Sequence, residues 1–282
     1  MANFNKLFAL GGVLAAGIAL KNNFFFGTDE YSAEFSTLPE DFDGFKILQL
    51  SDLHGKIFGR NNNSLVDKIV KISPDIIVLT GDMISRSGNA DSFLQLARRL
   101  SVKFKVFYTI GNHELDIDET YLAKVFAILR SFGITILNNE KILLRNGNSQ
   151  VALYGMWYAS HFYKDDTGDY SRHTEFDLGE MKRLLGERNS DEFSILLAHN
   201  PLSFPIYAKW GADLTFSGHI HGGVVALPVL GGLLSPGRNF FPRYFRGIYK
   251  KFGKTLITSR GIGGIRFNVP PTITVAVLKC TK

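Results

Sequence analysis

Phe45-Lys46-Ile47-Leu48-Gln49-Leu50-Ser51-Asp52-Leu53-His54 passes without a break from an apolar run into two side chains able to ligate a metal. Residues 45–50 have the length and composition of a buried strand, and a helical apolar pattern follows at 64–72. The pairing then repeats: 76–79 precedes a helical pattern at 92–100, and 106–110 precedes one at 121–132. Strands alternating with amphipathic helices predict successive βαβ units and an α/β fold. Further strands are expected at 31–35, 141–144, 151–154, 194–198, 214–216, 255–259 and 272–278. No internal repeat or low-complexity block interrupts the pattern.

Five of these apolar runs end in the same kind of chemistry. They lead into Asp52-Leu53-His54, Gly81-Asp82, Gly111-Asn112-His113-Glu114, His199-Asn200 and Gly218-His219-Ile220-His221. Ligands of open α/β sheets bind at the carboxyl ends of strands, so these segments are expected to converge although they span about 170 residues. Singly, each has a bland reading: His199 as a satisfied core histidine, Asp82 or Asn112 as a turn residue or helix cap. One site accounts for all of them together. The donors are imidazole, carboxylate and carboxamide, without thiolate, which suits manganese, iron or zinc. In Asp52-x-His54 and His219-x-His221 the i, i+2 spacing is expected to point both side chains to one side of extended backbone. Gly81, Gly111 and Gly218 are expected to let the backbone approach where a side chain would collide.

In this order the motifs resemble the calcineurin-like metallophosphoesterase family, whose pattern is Asp-x-His, Gly-Asp, Gly-Asn-His-Glu, His and Gly-His-x-His, and the resemblance extends from Phe45 to the C-terminus. It implies a four-layered α/β/β/α sandwich and two divalent ions. Asp52, His54 and His221 would hold the first ion, Asn112, His199 and His219 the second, and Asp82 would bridge both. His113 would protonate the leaving alkoxide or steady the transition state, and Glu114 would support the ligands through a hydrogen bond. Two such ions carry four positive charges against two from the aspartates, and the excess favours a phosphorylated, anionic substrate. The segment Ser259-Arg260-Gly261-Ile262-Gly263, with Arg266-Phe267 and Pro270-Pro271, resembles the ending of a bacterial membrane-associated subgroup that includes phosphodiesterases and hydrolases of lipid-linked or nucleotide-sugar pyrophosphates. Residues 81–87 match the protein-phosphatase element Gly-Asp-x-x-Asp-Arg-Gly only in part, lacking its second Asp and final Gly.

The net charge of +6 over 282 residues favours anionic partners. Nucleic acid is disfavoured among them, because no zinc-finger, RRM-like or heptad pattern is present. One cysteine, Cys280, excludes an intrachain disulfide and a cysteine-based zinc site. Residues 1–26 stand apart: Lys6 precedes an uncharged run at 7–20, and no Lys or Arg separates Lys21 from Lys46. This reads as an export signal or a membrane anchor, with the remainder translocated. The expected organisation is therefore a signal or anchor at 1–26, a linker with an edge strand at 27–44 and a catalytic domain at 45–282.

Two irregular stretches, 155–176 and 224–252, are rich in aromatic residues, the second beside Arg238, Arg243, Arg246 and Lys250. They are either buried satellite clusters or a basic-aromatic lip for a lipid phosphate or membrane surface. Arg86 is either a phosphate ligand or a solvated loop residue, while His161 and His173 are expected at the surface. The competing functions are a nuclease or nucleotide phosphodiesterase, and a metal-binding scaffold without turnover.

Overall fold

The computed structural model describes residues 25–170, 172–223, 225–227, 231–234, 240–264 and 269–281. The N-terminal apolar run, Arg238 and Arg266-Phe267 lie outside them. In chain order the strands and helices are β1 (Gly27–Phe35), β2 (Lys46–Leu50), α1 (Asn63–Ile72), β3 (Ile76–Thr80), α2 (Asp91–Ser101), β4 (Lys105–Thr109), α3 (Glu119–Ser131) and β5 (Thr135–Ile136). There follow β6 (Glu140–Asn146), β7 (Ser149–Met156), α4 (Leu178–Leu185), β8 (Ser194–Ala198), α5 (Phe204–Trp210) and β9 (Leu214–Ser217). The chain continues through β10 (Val225–Leu227), β11 (Gly231–Leu234), β12 (Gly247–Lys251), β13 (Lys254–Thr258) and β14 (Thr272–Cys280).

These strands form two six-stranded sheets, ordered β1-β14-β2-β3-β4-β5 and β12-β13-β9-β8-β7-β6, and a small β10-β11 pair. The βαβ rhythm expected from residue 45 onward is the parallel run β2-β3-β4-β5. β7, β8, β9 and β13 are likewise parallel in the second sheet. β1, expected as a short strand, runs nine residues and pairs in parallel with β14, at the edge of the first sheet.

Side chains on these strands alternate between two faces, and the alternation sorts them into three cores. Ile47, Ile76, Val78 and Phe107 of the first sheet meet Val151, Leu153, Ile195, Leu197 and Phe216 of the second. The alternate residues Leu48, Ile77 and Leu79 pack under α1, α2 and α3 with Leu65, Leu96 and Leu129. Tyr154, Leu196 and Ala198 pack under α4 and α5 with Met181, Phe204 and Tyr207. Helices, sheet, sheet and helices make the four-layered α/β/β/α sandwich. Since both sheets are buried on both faces, their strands read as continuous apolar runs. Among the described residues no helix is long and apolar enough to cross a membrane.

Candidate metal centre

The carboxyl ends of β2, β3 and β4 in one sheet and of β8 and β9 in the other open toward a common point. The loops leaving them carry Asp52 and His54, Asp82, Asn112 and His113, His199, and His219 and His221. The two i, i+2 pairs do not lie in extended backbone, contrary to expectation. Asp52, His54, His219 and His221 have φ of 55°, 49°, 70° and 57°, and Asp82 has 53°. Such left-handed conformations cost on the order of 1 kcal/mol each for residues other than glycine. The turns are held by hydrogen bonds between the loops. The Asp52 amide donates to Gly81 O at 3.0 Å and the His54 amide to Asp82 O at 3.1 Å, while the His219 amide donates to Asp52 Oδ1 at 3.1 Å.

Glycine is needed where the loops cross. A Cβ on Gly111 would sit 2.2 Å from Asp82 Oδ1, and one on Gly218 would sit 1.9 Å from Ser51 Oγ and 2.5 Å from Asp52 Oδ2. Both positions have ordinary negative-side φ, so the requirement is for space and not for a left-handed turn.

Three donor groups result, each with ligand atoms within 4.8 Å of one another: Asp52, His54 and His221; His54, Asp82 and His113; and Asp82, His199 and His219. His221 Nε2 lies 3.3 Å from Asp52 Oδ1, and His54 Nε2 lies 3.2 Å from His221 Nε2 and 3.9 Å from Asp82 Oδ2. His199 Nε2 is 3.3 Å from Asp82 Oδ2. The His199 ring is fixed from behind, its Nδ1 meeting Thr80 O at 2.7 Å, an arrangement that leaves Nε2 free to ligate. Asn112 Oδ1 and His199 Nε2 are buried with no hydrogen-bond partner. Buried polar atoms are ordinarily paired; Asn112 Oδ1 has no partner and His199 Nε2 has only the Asp82 carboxylate at 3.3 Å, and both fit a bound cation.

The electrostatics make the same demand. Burial pushes the Asp52 carboxyl above its usual range. At Asp82 burial acts in the same direction but is outweighed by His199, His113 and His54, which hold it well below the usual range. Burial lowers His219 to about 3, helped by His199, and lowers His113 to about 4 against the pull of Asp82. His199 alone goes up, to about 10: burial opposes its proton, but the Asp82 and Asp52 carboxylates draw positive charge to that position. A divalent ion supplies that charge without a proton.

Glu114 organises the loops from beneath. Its buried carboxylate accepts from the amides of Asp82 and Gly111 at 2.9 Å each, from the Ile84 amide at 3.0 Å and from the Tyr108 hydroxyl at 3.0 Å. Burial and the Asp82 carboxylate push its pKa up to about 7, opposed by the Ile84 and Gly111 donors.

The insertion after β7 forms one wall. Tyr158, Phe162, Tyr163 and Phe176 are buried in the core beneath α4 and α5, and the Tyr163 ring lies 5.5 Å from that of His219, tilted 60° to it. Most aromatic residues of this stretch therefore form a buried cluster, while Trp157 and Tyr170 are half-buried. In the second aromatic stretch Phe240 and Phe241 are 71% and 63% exposed, whereas Tyr244 packs edge-on against Phe204 and Tyr249. His161 and His173 are exposed. Arg86 is not simply solvated: its Nε meets Asp116 Oδ2 at 3.1 Å, and its Nη2 donates to the Tyr170 hydroxyl. Tyr170, which also accepts from Asn112, carries no motif that would single it out in the sequence.

Residues 45–223 match the family model described as calcineurin-like phosphoesterase. The chain is 30% identical to an uncharacterized metallophosphoesterase, YkuE, of Bacillus subtilis (strain 168), over 90% of this chain and 86% of that one. It is also 30% identical to the phosphodiesterase YaeI of Escherichia coli (strain K12), over 83% of this chain and 82% of that one. The UDP-2,3-diacylglucosamine pyrophosphatase LpxG of Chlamydia trachomatis is 24% identical, with 86% of each chain covered. With the motifs in order and the donors gathered at the sheet ends, the chain belongs to the calcineurin-like phosphoesterase family and is a metal-dependent phosphoester hydrolase.

Proposed function

We propose that the enzyme is a binuclear phosphohydrolase in which Asp52, His54 and His221 hold one divalent ion, Asn112, His199 and His219 hold a second, and Asp82 bridges them. One observation carries this reading: the Asp52-His54-His221 and Asp82-His199-His219 donor groups adjoin through the 3.9 Å approach of His54 Nε2 to Asp82 Oδ2, with Asn112 Oδ1 buried beside them and without a hydrogen-bond partner. Held by these residues, manganese, iron or zinc would supply Lewis-acid chemistry, lowering the pKa of water and offsetting charge on the phosphoryl oxygens. His113, with its Nε2 3.8 Å from Asp82 Oδ2 and its Nδ1 unpaired, protonates or steadies the leaving oxygen. The scissile bond is a phosphodiester or pyrophosphate of a lipid-linked or envelope-related substrate. The names of YaeI, a phosphodiesterase, and LpxG, a pyrophosphatase of a diacylated UDP-sugar, support this class. Elemental analysis of the purified protein is expected to find close to two divalent ions per chain. A panel of an aryl phosphodiester, an aryl monoester, an acylated nucleotide-sugar pyrophosphate and DNA, each with and without detergent, is expected to favour the amphiphile. Full activity in metal-free protein would sink the reading, and preferential cleavage of DNA would replace it with a nuclease.

We further propose that residues 1–26 are an export signal or membrane anchor, 27–44 a linker whose edge strand β1 docks on β14, and 45–282 a catalytic domain working at the extracytoplasmic face of a membrane. The support is Lys6 ahead of the uncharged run 7–20 and the lack of Lys or Arg between Lys21 and Lys46. External protease is expected to digest the domain in spheroplasts, and N-terminal sequencing of the mature protein decides between signal and anchor. Protection from the protease, with the domain recovered in the cytosol, would overturn this placement.

A further inference from the structure

Tyr170 lies in the insertion after β7, 58 residues from Asn112 in sequence, yet the Asn112 Nδ2 donates to its hydroxyl oxygen at 3.0 Å. The Arg86 guanidinium donates to the same oxygen, and the Arg86 group itself sits 5.8 Å from the centre of the Tyr170 ring. Arg86 is in turn anchored by Asp116, which Lys164 of the insertion grips at 2.6 Å. The phenol therefore has both of its acceptor positions filled by donors coming from loops of the first sheet. A phenol so occupied has one function left, which is to donate its proton.

Among the described residues nothing accepts that proton. What Tyr170 does face is a cavity of about 140 Å³ that it lines together with Asp82, Asn112, His113 and His219. The volume is large enough for a phosphoryl group. Tyr170 is held from several sides: its ring lies 6.2 Å from that of His219, and Arg86 and Asn112 fix the hydroxyl. A rigid donor at the mouth of a small cavity that already gathers charge-matching groups is the arrangement needed to meet a developing oxyanion.

We infer that Tyr170 is a substrate-contacting residue whose hydroxyl donates a hydrogen bond to a non-bridging phosphoryl oxygen, with Arg86 and Asn112 holding it in place. The inference rests on the phosphohydrolase reading of the same cavity. The bond involves no transfer of the phenolic proton, so the residue binds and stabilises without acting as acid or base. Because the phosphoryl oxygen is anionic, the donated bond is of the charge-assisted kind, and the guanidinium on the acceptor side polarises the phenol further.

The test is Tyr170→Phe in the full chain, loaded with metal and titrated calorimetrically with inorganic phosphate. The substitution keeps the ring and its packing and removes only the oxygen. Phosphate affinity is expected to fall about 10-fold, the order lost with a hydrogen bond to a charged group, and kcat/KM for a phosphodiester to fall at least as far, with metal content and melting temperature unchanged. Wild-type phosphate affinity in the variant would overturn the inference. So would a loss of metal in step with phosphate, since Tyr170 would then act through Asn112 as a positioning residue. A wild-type protein that binds metal yet neither binds phosphate nor cleaves a phosphoester would overturn this inference together with the reading beneath it.

Discussion

Asp82→Ala is expected to lower turnover by about 10³-fold or more and to leave the protein with fewer than two ions per chain. No other side chain touches as much of the centre. Its Oδ2 lies 3.3 Å from His199, 3.8 Å from His113 and 3.9 Å from His54, and its Oδ1 accepts from the His113 amide at 2.8 Å. Removing the carboxylate sets free the imidazoles of both half-sites at once and withdraws the charge that would join two cations. The several kcal/mol of transition-state stabilisation that metals supply would go with it. Alanine also meets a left-handed φ of 53° at this position, so some destabilisation comes from the backbone alone. Asp82→Asn separates the two effects, because asparagine tolerates that conformation and matches the carboxylate in shape while lacking its charge. Both variants are expected to lose metal by elemental analysis, and only the alanine variant is expected to melt markedly lower. Two-ion occupancy in either would show that Asp82 does not bridge.

How far the sequence carried depended on what each residue answers to. The strands β2, β3, β4, β8 and β9 were legible because burial on both faces leaves an unbroken apolar run. Their junctions with Asp52, Asp82, Asn112, His199 and His219 were legible because open sheets bind ligands at those ends. The backbone of the proposed ligands was not. Asp52-x-His54 and His219-x-His221 look like alternating extended segments, and only the crossing of loops from two sheets turns them left-handed. Periodicity has no access to that constraint. β5, two residues long, and α4 and α5, of eight and seven residues, are too short for a helical or strand period to emerge. Tyr170 escaped for a different reason. It belongs to an irregular insertion in which aromatic residues abound, and what distinguishes it from Tyr158 or Tyr163 is a pair of donors from residues 86 and 112, a fact of tertiary structure alone.

The glutamate at 114 lies between these cases. Its place after Gly111-Asn112-His113 suggested a supporting hydrogen bond. The structure shows four, drawn from the loops after β3 and β4 and from Tyr108 within β4. A single carboxylate therefore fixes the Gly81-Asp82 and Gly111-Asn112 turns relative to each other, which helps hold Asp82 at its left-handed φ.

His113→Ala is expected to lower turnover by about 10²- to 10⁴-fold, the range for loss of a positioned acid or base, while leaving metal content near that of the wild type. The position is ambiguous in geometry, which is what makes the experiment decisive. His113 shares a donor group with His54 and Asp82, and its ring centre lies 4.5 Å from that of His54, so it is within reach of a cation. One observation sets it apart from the proposed ligands: its side chain is 24% exposed, against 0% for His199 and 8% for His221. Its backbone amide, and not its ring, makes the hydrogen bond to the Asp82 carboxylate at 2.8 Å, so truncating the ring spares the contact that orients Asp82. Turnover and metal content are therefore expected to part company in this variant, with KM changed far less than kcat. If metal and activity fall together, His113 is a ligand, and the proton or hydrogen bond to the leaving oxygen must come from another group in the cavity.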